Sequence, residues 1–405
     1  MQIPIALTVV AATVLVVGLF SQALKRTPLQ EPLLGVAVGI AVGPHGIGWL
    51  DVSAWGNPHE LLEQTAHVTL AIGLMAVALR ISSDDLRRYA RPAAWLLTLG
   101  MLGMWLTSSL AAGWLLDLPP SGALLLGAVL TPTDPVVAST IVTGKFAHQH
   151  LPRRIRSFLS LESGANDGLA YLFVLLPILL IGGVDSPPRD WLVQALLRGV
   201  VVAALLGAAI GFGAGKILHR AHKGGLIESY SFLTFTTTLS LFTLGAASLL
   251  RADALISVFV AGLTFNLSTD TGERHEEERI QESMSKLFTL PMFVLFGLAA
   301  PLDDWARLGA PLAALAAAVL LLRRLPVVGL LYPALRRDYA GSDIAFIGWF
   351  GPLGIAAVYY STYAVNETGQ TSLWTAASAV IAASILAHGV TAAPLTRLYS
   401  RRNRA

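Results

Sequence analysis

The stretch LTPTDPVVAST, residues 130–140, interrupts a long apolar run with Pro132, Asp134 and Pro135, where a membrane-spanning helix would otherwise continue. Proline has no backbone N–H to donate and clashes with the carbonyl four residues earlier. Pro132 is therefore predicted to free the carbonyl of Ala128, and Pro135 that of Thr131. Unpaired backbone at membrane depth survives only when it is buried in protein or lines a wet cavity. The prolines alone would also suit a simple kink capped by Asp134. An ionisable residue between them points to a cavity, since such residues inside membranes mark functional sites. The reading is a fifth span broken in two, with half-helix ends facing each other near the midplane.

Composition supports the membrane setting. Of 405 residues, 54% are hydrophobic and 13% charged, against about 25% charged in soluble domains. Apolar blocks of roughly 20 residues, the length that crosses a hydrocarbon core, run from end to end. No stretch between them is long or polar enough for a separate soluble domain. The absence of cysteine excludes disulfides and thiol chemistry. The first block, Ile3 to Leu24, has no basic residue before it and no small-residue cleavage site after it, so it reads as a retained span.

Thirteen spans are predicted, centred near residues 14, 40, 71, 104, 132, 168, 205, 239, 259, 293, 320, 352 and 384, the ninth being short. The loops alternate sharply in Lys and Arg. One side carries 22 of the 28, among them Arg80, Arg87, Arg88, Arg91, Lys145, Arg153, Arg154, Arg156 and Arg397 to Arg404. The other side holds Arg189, Arg198, Arg251 and Arg307, while Arg323 and Arg324 fall inside an apolar segment. Positive loops stay cytoplasmic, so the N-terminus is expected outside and the C-terminus inside. This placement of basic residues, despite a pI near 9.2, argues for a lipid partner and against nucleic acid. The histidines of the cytoplasmic side, His148, His150, His219, His222 and His275, read as solvated loop residues, and the charged run at 274–286 as a solvated entry to the tenth span.

The sixth span opens with SLESGANDGLAYLF, residues 160–173. Glu162, Ser163, Asn166 and Asp167 share one helical face, an arc of roughly 140°. A carboxylate at the centre of a membrane helix costs at least about 2.5–3.5 kcal/mol, so two of them need a cation, a proton or a basic partner. Oxygen ligands of this kind suit a hard ion such as sodium; a buried hydrogen-bond network is the alternative. In LLLRRLPVVGLL, residues 320–331, Arg323 and Arg324 supply a basic partner. One of them, with Arg324 favoured, is expected to neutralise Glu162 through a bidentate pair; snorkelling to the interface is the competing reading. A second break is predicted in FIGWFGPLGIAAVYY, residues 346–360, at Gly348, Gly351, Pro352 and Gly354.

The broken fifth and twelfth spans lie seven apart. An odd offset inverts orientation, which is the inverted-repeat plan of secondary transporters with a midplane site. The expectation is an all-α polytopic membrane protein with one transporter domain over residues 1–400. It divides into a first six-helix repeat at about 3–182, a linker helix at about 191–219 and a second repeat at about 229–398, followed by a short cytoplasmic tail at 401–405.

TPTDPV (131–136), LESGANDG (161–168), RRLPVV (323–328), GWFGPLGI (348–355) and SILAHGVTAAPL (384–395), in this order, resemble the monovalent cation:proton antiporter family. That family includes prokaryotic NhaP-type sodium/proton antiporters and plasma-membrane exchangers of fungi and animals. LGVAVGIAVGPHGIG (34–48) is similar to its second helix, and the resemblance covers nearly the whole chain. It implies a thirteen-helix homodimer in the cell (inner) membrane, with a dimerisation domain and a core domain that moves like an elevator. The ion-binding aspartate falls on Asp167, with Asn166 before it, Ser163 one turn earlier and the Thr133 backbone carbonyl as a further ligand. Asp134 would steady the crossed half-helices, and Glu162 with the eleventh-span arginine would form the structural ion pair. In one departure, HVTLAIGLMAVALRIS (67–82) carries no acidic ligand on the third span.

The function so implied is exchange of sodium or lithium for protons, with no cofactor beyond the transported ions. Alternatives are potassium/proton antiport within the family, or sodium-coupled symport of an organic acid. A symporter would need polar residues for a larger substrate, and the surroundings of Gly351 and Gly354 are small and apolar. Neither a Gly-x-Ser-x-Gly with a suitable histidine nor a His-Glu-x-x-His is present, so an enzyme is not expected. One titratable carboxylate at the ion site predicts electroneutral exchange, and His388 is assigned to helix packing.

Overall fold

An apolar chain in lipid must satisfy its own backbone, and helices do so within one segment. The computed structural model describes residues 2–20, 30–134, 137, 139–224, 231–269 and 287–403, and among them regular secondary structure is entirely helical. In order these are α1 (Gln2–Leu19), α2 (Glu31–Val42), α3 (Pro58–Ala78) and α4 (Ser83–Leu116). Next come α5 (Pro120–Val129), α6 (Ser139–Val142), α7 (Gly144–His150) and α8 (Arg153–Ile181). Then follow α9 (Pro187–Ala221), α10 (Ser231–Leu249), α11 (Ala254–Ser268) and α12 (Leu287–Leu298). The last are α13 (Leu302–Leu330), which kinks at Gly309, α14 (Gly341–Trp349), α15 (Ile355–Thr368) and α16 (Thr371–Arg402).

Among the described residues, seven helices are long and apolar enough to cross a membrane, and further apolar helices are shorter. Of the expected span centres, 132 and 352 fall in breaks between helices and the others fall on helix. The short ninth span is α11, with 15 residues. The charged run 274–286 with His275, and Pro135, lie outside the described residues.

The two breaks cross. After α5 the chain extends through Thr131 to Asp134, and after α14 it extends through Gly351 to Gly354. The Asp134 N–H donates to the Pro352 carbonyl at 2.8 Å. The prediction for Ala128 is corrected here. Its carbonyl accepts the Thr131 N–H at 3.0 Å, because α5 has already ended and the chain tightens by one residue. The carbonyls left over are those of Leu130, Thr131 and Pro132. The Arg323 Nη1 group donates to all three, at 2.8, 3.1 and 3.2 Å, while Nη2 donates to the Gly351 carbonyl. One guanidinium thus caps the C-terminal ends of both first half-helices.

Asp134 does the converse for N-terminal ends. Its Oδ2 accepts the first N–H of α15, from Ile355, and its Oδ1 accepts the Val137 N–H at 3.3 Å. Each charge sits against the helix end that favours it. Glycine is required where these side chains pass. A Cβ on Gly354 would lie 2.1 Å from Asp134 Oδ2, and one on Gly351 2.2 Å from Arg324 Cδ.

Two consecutive arginines cannot face one point from a regular α-helix, where neighbours diverge by about 100°. In α13 the turn before them, Val319–Arg323, is π-helical, and the helix restarts at Leu325. Such wide turns recur at functional positions, and this one lets both arginines enter the core, 3% and 2% exposed. Arg324 forms the bidentate pair with Glu162, both N–O distances being 2.9 Å, and its Nε donates to the Ile347 carbonyl at 3.0 Å.

Gly354→Ala should overpack the crossing and cost about 1–3 kcal/mol, read as a lower thermal midpoint of the detergent-solubilised protein. Glu162→Ala strands the Arg324 charge, at a cost of about 3–5 kcal/mol. Its midpoint should fall well below that of Asp167→Asn, and equal midpoints would contradict a structural pair.

Candidate functional site

The polar stripe of α8 faces the crossing, and all four of its side chains are buried. Asn166 ties the two together. Its Oδ1 accepts the Thr133 N–H at 3.2 Å, and its Nδ2 donates to Glu162 Oε1 at 3.2 Å. The Thr133 hydroxyl donates to Ser163 Oγ at 3.3 Å. The structure therefore brings Thr133, Ser163, Asn166 and Glu162 into one network, with Arg324 behind Glu162. Arg323 stands apart from that pair, on the helix ends with Asp134.

Asp167 differs from its neighbours. It is 0% exposed, and both carboxylate oxygens are buried with no hydrogen-bond partner among the described residues. Its charged neighbours are Asp134 and Glu162. Each of those is matched, Asp134 by helix ends and Glu162 by Arg324. An ionised carboxylate without a partner is costly to bury, and a proton or a small cation removes that cost. The bonded Thr133 and Ser163 hydroxyls supply neutral oxygens in the same buried network. From His67 onward the third span adds no acid, and residues 70–78 of α3 are apolar and buried.

Two residues of the site, Tyr360 and Ser384, were not assigned from sequence, and His388 was assigned only to helix packing. The Tyr360 hydroxyl donates to the Asp167 backbone carbonyl at 2.7 Å. Ser384 Oγ accepts the Leu353 N–H at 2.8 Å, satisfying the second extended segment, and lies 3.1 Å from His388 Nδ1. His388 Nε2 is 3.0 Å from the Trp349 carbonyl. His388 Nδ1 also lies 2.9 Å from the Ser384 carbonyl, so each ring nitrogen faces a carbonyl oxygen and the ring ties α14 to α16. The i, i+4 spacing of Ser384 and His388 was visible in SILAHGVT; nothing in the sequence said which carbonyl they serve.

Comparison with known proteins gives consistent matches. The family described as "Sodium/hydrogen exchanger, transmembrane" matches residues 10–398. Na(+)/H(+) antiporter 2 of Zygosaccharomyces rouxii is 31% identical over 85% of this chain and 44% of its own length. A Na(+)/H(+) antiporter of Schizosaccharomyces pombe is 27% identical over 90% of this chain and 84% of its own. The K(+)/H(+) antiporter NhaP2 of a Shewanella species is 26% identical over 94% and 64%. The chain spans less than half the length of several fungal relatives it matches. In fold, it superimposes on the sodium proton antiporter MjNhaP1 of Methanocaldococcus jannaschii with a TM-score of 0.79, covering 99% of both chains at 16% identity. With a family match across almost its whole length and two broken helices crossing at a buried carboxylate, the chain belongs to the sodium/hydrogen exchanger family of multi-pass membrane proteins.

Proposed function

We propose that the protein exchanges sodium for protons across the cell membrane, with Asp167 holding each in turn. The observation that carries this reading is the Asp167 carboxylate, fully buried and without a hydrogen-bond partner among the described residues, beside two carboxylates that are already compensated. Ser163 and Thr133 add oxygen ligands, with water completing the shell. Asn166 positions Thr133 and Glu162, the partners that both ends of its amide already contact. Sodium is preferred over potassium because fungal relatives named for sodium are up to 32% identical, against 26% for the potassium-named one.

In this reading the chain crosses the membrane thirteen times, with inverted repeats at about 3–182 and 229–398, the N-terminus outside and the C-terminus cytoplasmic. It works as a homodimer, the core carrying Asp167 past the remaining helices. The arginine-rich loops support the orientation.

Stoichiometry follows from the charges. Asp134 and Glu162 balance Arg323 and Arg324, and arginine does not release its proton. Asp167 then carries one proton or one sodium ion, and the loaded site has the same charge either way. The membrane potential, about 2.3 kcal/mol per charge per 100 mV, has no net charge to act on.

In everted vesicles, sodium should dequench a pH-sensitive dye, and Asp167→Asn should abolish the response while the protein stays folded. Wild-type-like exchange in that variant refutes the assignment, and a response to potassium alone reassigns the ion. In proteoliposomes clamped with potassium and valinomycin, reversing the potential should leave the exchange rate unchanged. A several-fold change would mean a second coupled carboxylate, with Asp134 first to be tested.

A further inference from the structure

Beyond Asp167, toward the C-terminal end of α8, lies a group of titratable side chains that the exchange reading has not used. Tyr171 follows Asp167 by about one turn of α8, roughly 6 Å along the axis. From α15 come Tyr359, Tyr360 and Tyr363; from α3, Glu63 and His67; and from the N-terminal end of α11, Asp253. They form a connected set. The His67 and Tyr359 rings stack at 4.7 Å, Tyr359 meets Tyr360 at 4.9 Å and Tyr363 at 6.1 Å, and Tyr363 meets Tyr171 at 6.4 Å. Asp253 opens α11, whose first turn packs on α8 next to Asp167: a Cβ on Gly168 would lie 3.0 Å from the Ile256 nitrogen. Tyr171, Tyr359 and Tyr360 are its electrostatic neighbours. At the rim, Asn366 donates to Glu63 at 2.6 Å.

Burial grades along this set. Asn366 and Glu367 are exposed; Glu63, His67, Tyr171, Tyr359, Tyr363 and Asp253 are half-buried; Tyr360 and Asp167 are fully buried. The gradient runs to the face opposite the arginine-rich loops and ends at the Tyr360 hydroxyl, which is bonded to the Asp167 carbonyl. Tyrosine offers hydroxyl oxygens and negative ring faces, both of which hold a monovalent cation weakly.

Asp253 stands out in this set. It is the N-cap of α11, accepting the Ile256 N–H at 2.7 Å. Capping occupies at most two of about four lone-pair sites on a carboxylate, and asparagine caps equally well. The cap therefore does not account for a carboxyl group in place of an amide beside the tyrosines. We infer that the tyrosine-lined set is the outer approach to Asp167 and that Asp253 is a docking point for the monovalent cation on that route. This rests on the exchange reading above.

Asp253→Asn keeps the cap and removes the charge, so it separates docking from structure. In vesicles of defined orientation, the KM for sodium on the outer face should rise roughly tenfold, as for loss of one charge contact at a partly wet site. The maximal rate, the KM on the arginine-rich face and the thermal midpoint should hold. An unchanged outer KM, or an equal rise on both faces, overturns the inference. A second measurement does not need turnover. The chain has no cysteine, so Tyr363→Cys offers a single thiol to a membrane-impermeant maleimide added from the outer face. Sodium, compared with choline, should slow labelling, and the added Asp253→Asn should abolish that protection. Labelling indifferent to sodium in both variants overturns the docking point. Protection without proton exchange would retain docking and reject the exchange reading; exchange without protection would do the reverse.

Discussion

Two helices broken inside a membrane leave four chain ends whose amides and carbonyls have no water to turn to. Every other feature of the site follows from how those ends are satisfied. Arg323 collects carbonyls from both breaks, and Asp134 collects amides from both. The half-helix dipoles point their positive ends at the carboxylate and their negative ends at the guanidinium. A direct bond between the segments, Asp134 to Pro352, joins the crossing into one unit. The glycines at 351 and 354 follow from this, because the charged side chains occupy the space a Cβ would need.

Once the ends are neutralised, the remaining charges sort themselves. Glu162 and Arg324 form a closed pair, 0% and 3% exposed at the side chain, braced by Asn166 and the Ile347 carbonyl. Pairs of this kind contribute little net stability but are expensive to break, which suits a scaffold more than a working group. Asp167 keeps a carboxylate that the described residues do not satisfy. In the proposed exchange, a fixed partner would trap it in one state, whereas an open carboxylate would let a proton and a cation compete for it.

The rest of α8 separates two environments. Toward its N-terminus lie the ion pair and, nearer the surface, Arg153 with Asp85 and Arg154 with Asp343, each within 3.0 Å. Toward its C-terminus lie the tyrosines. The fold as a whole is shared with MjNhaP1 at 16% identity.

Sequence alone determined the membrane class, the breaks near residues 132 and 352, and the stripe from Glu162 to Asp167. All of these are local: proline chemistry acts over four residues, a helical face repeats every turn, and hydropathy is counted within a window. It also offered two arginines for Glu162 and favoured Arg324, and packing supplied the pairing, with Arg323 turned to the carbonyls of both breaks. The carbonyl of Ala128 was expected to be free and is not, because the helix ends before the proline in a tighter turn that closes on Thr131. Asn166 read as a cation ligand, yet both ends of its amide meet partners, one of them 33 residues away in the chain. Tyr360 and Asp253 carried no local signal at all, and Ser384 showed only its spacing from His388. Their roles arise where distant helices meet, and a hydrogen bond between such helices leaves no period or spacing in either strand of sequence.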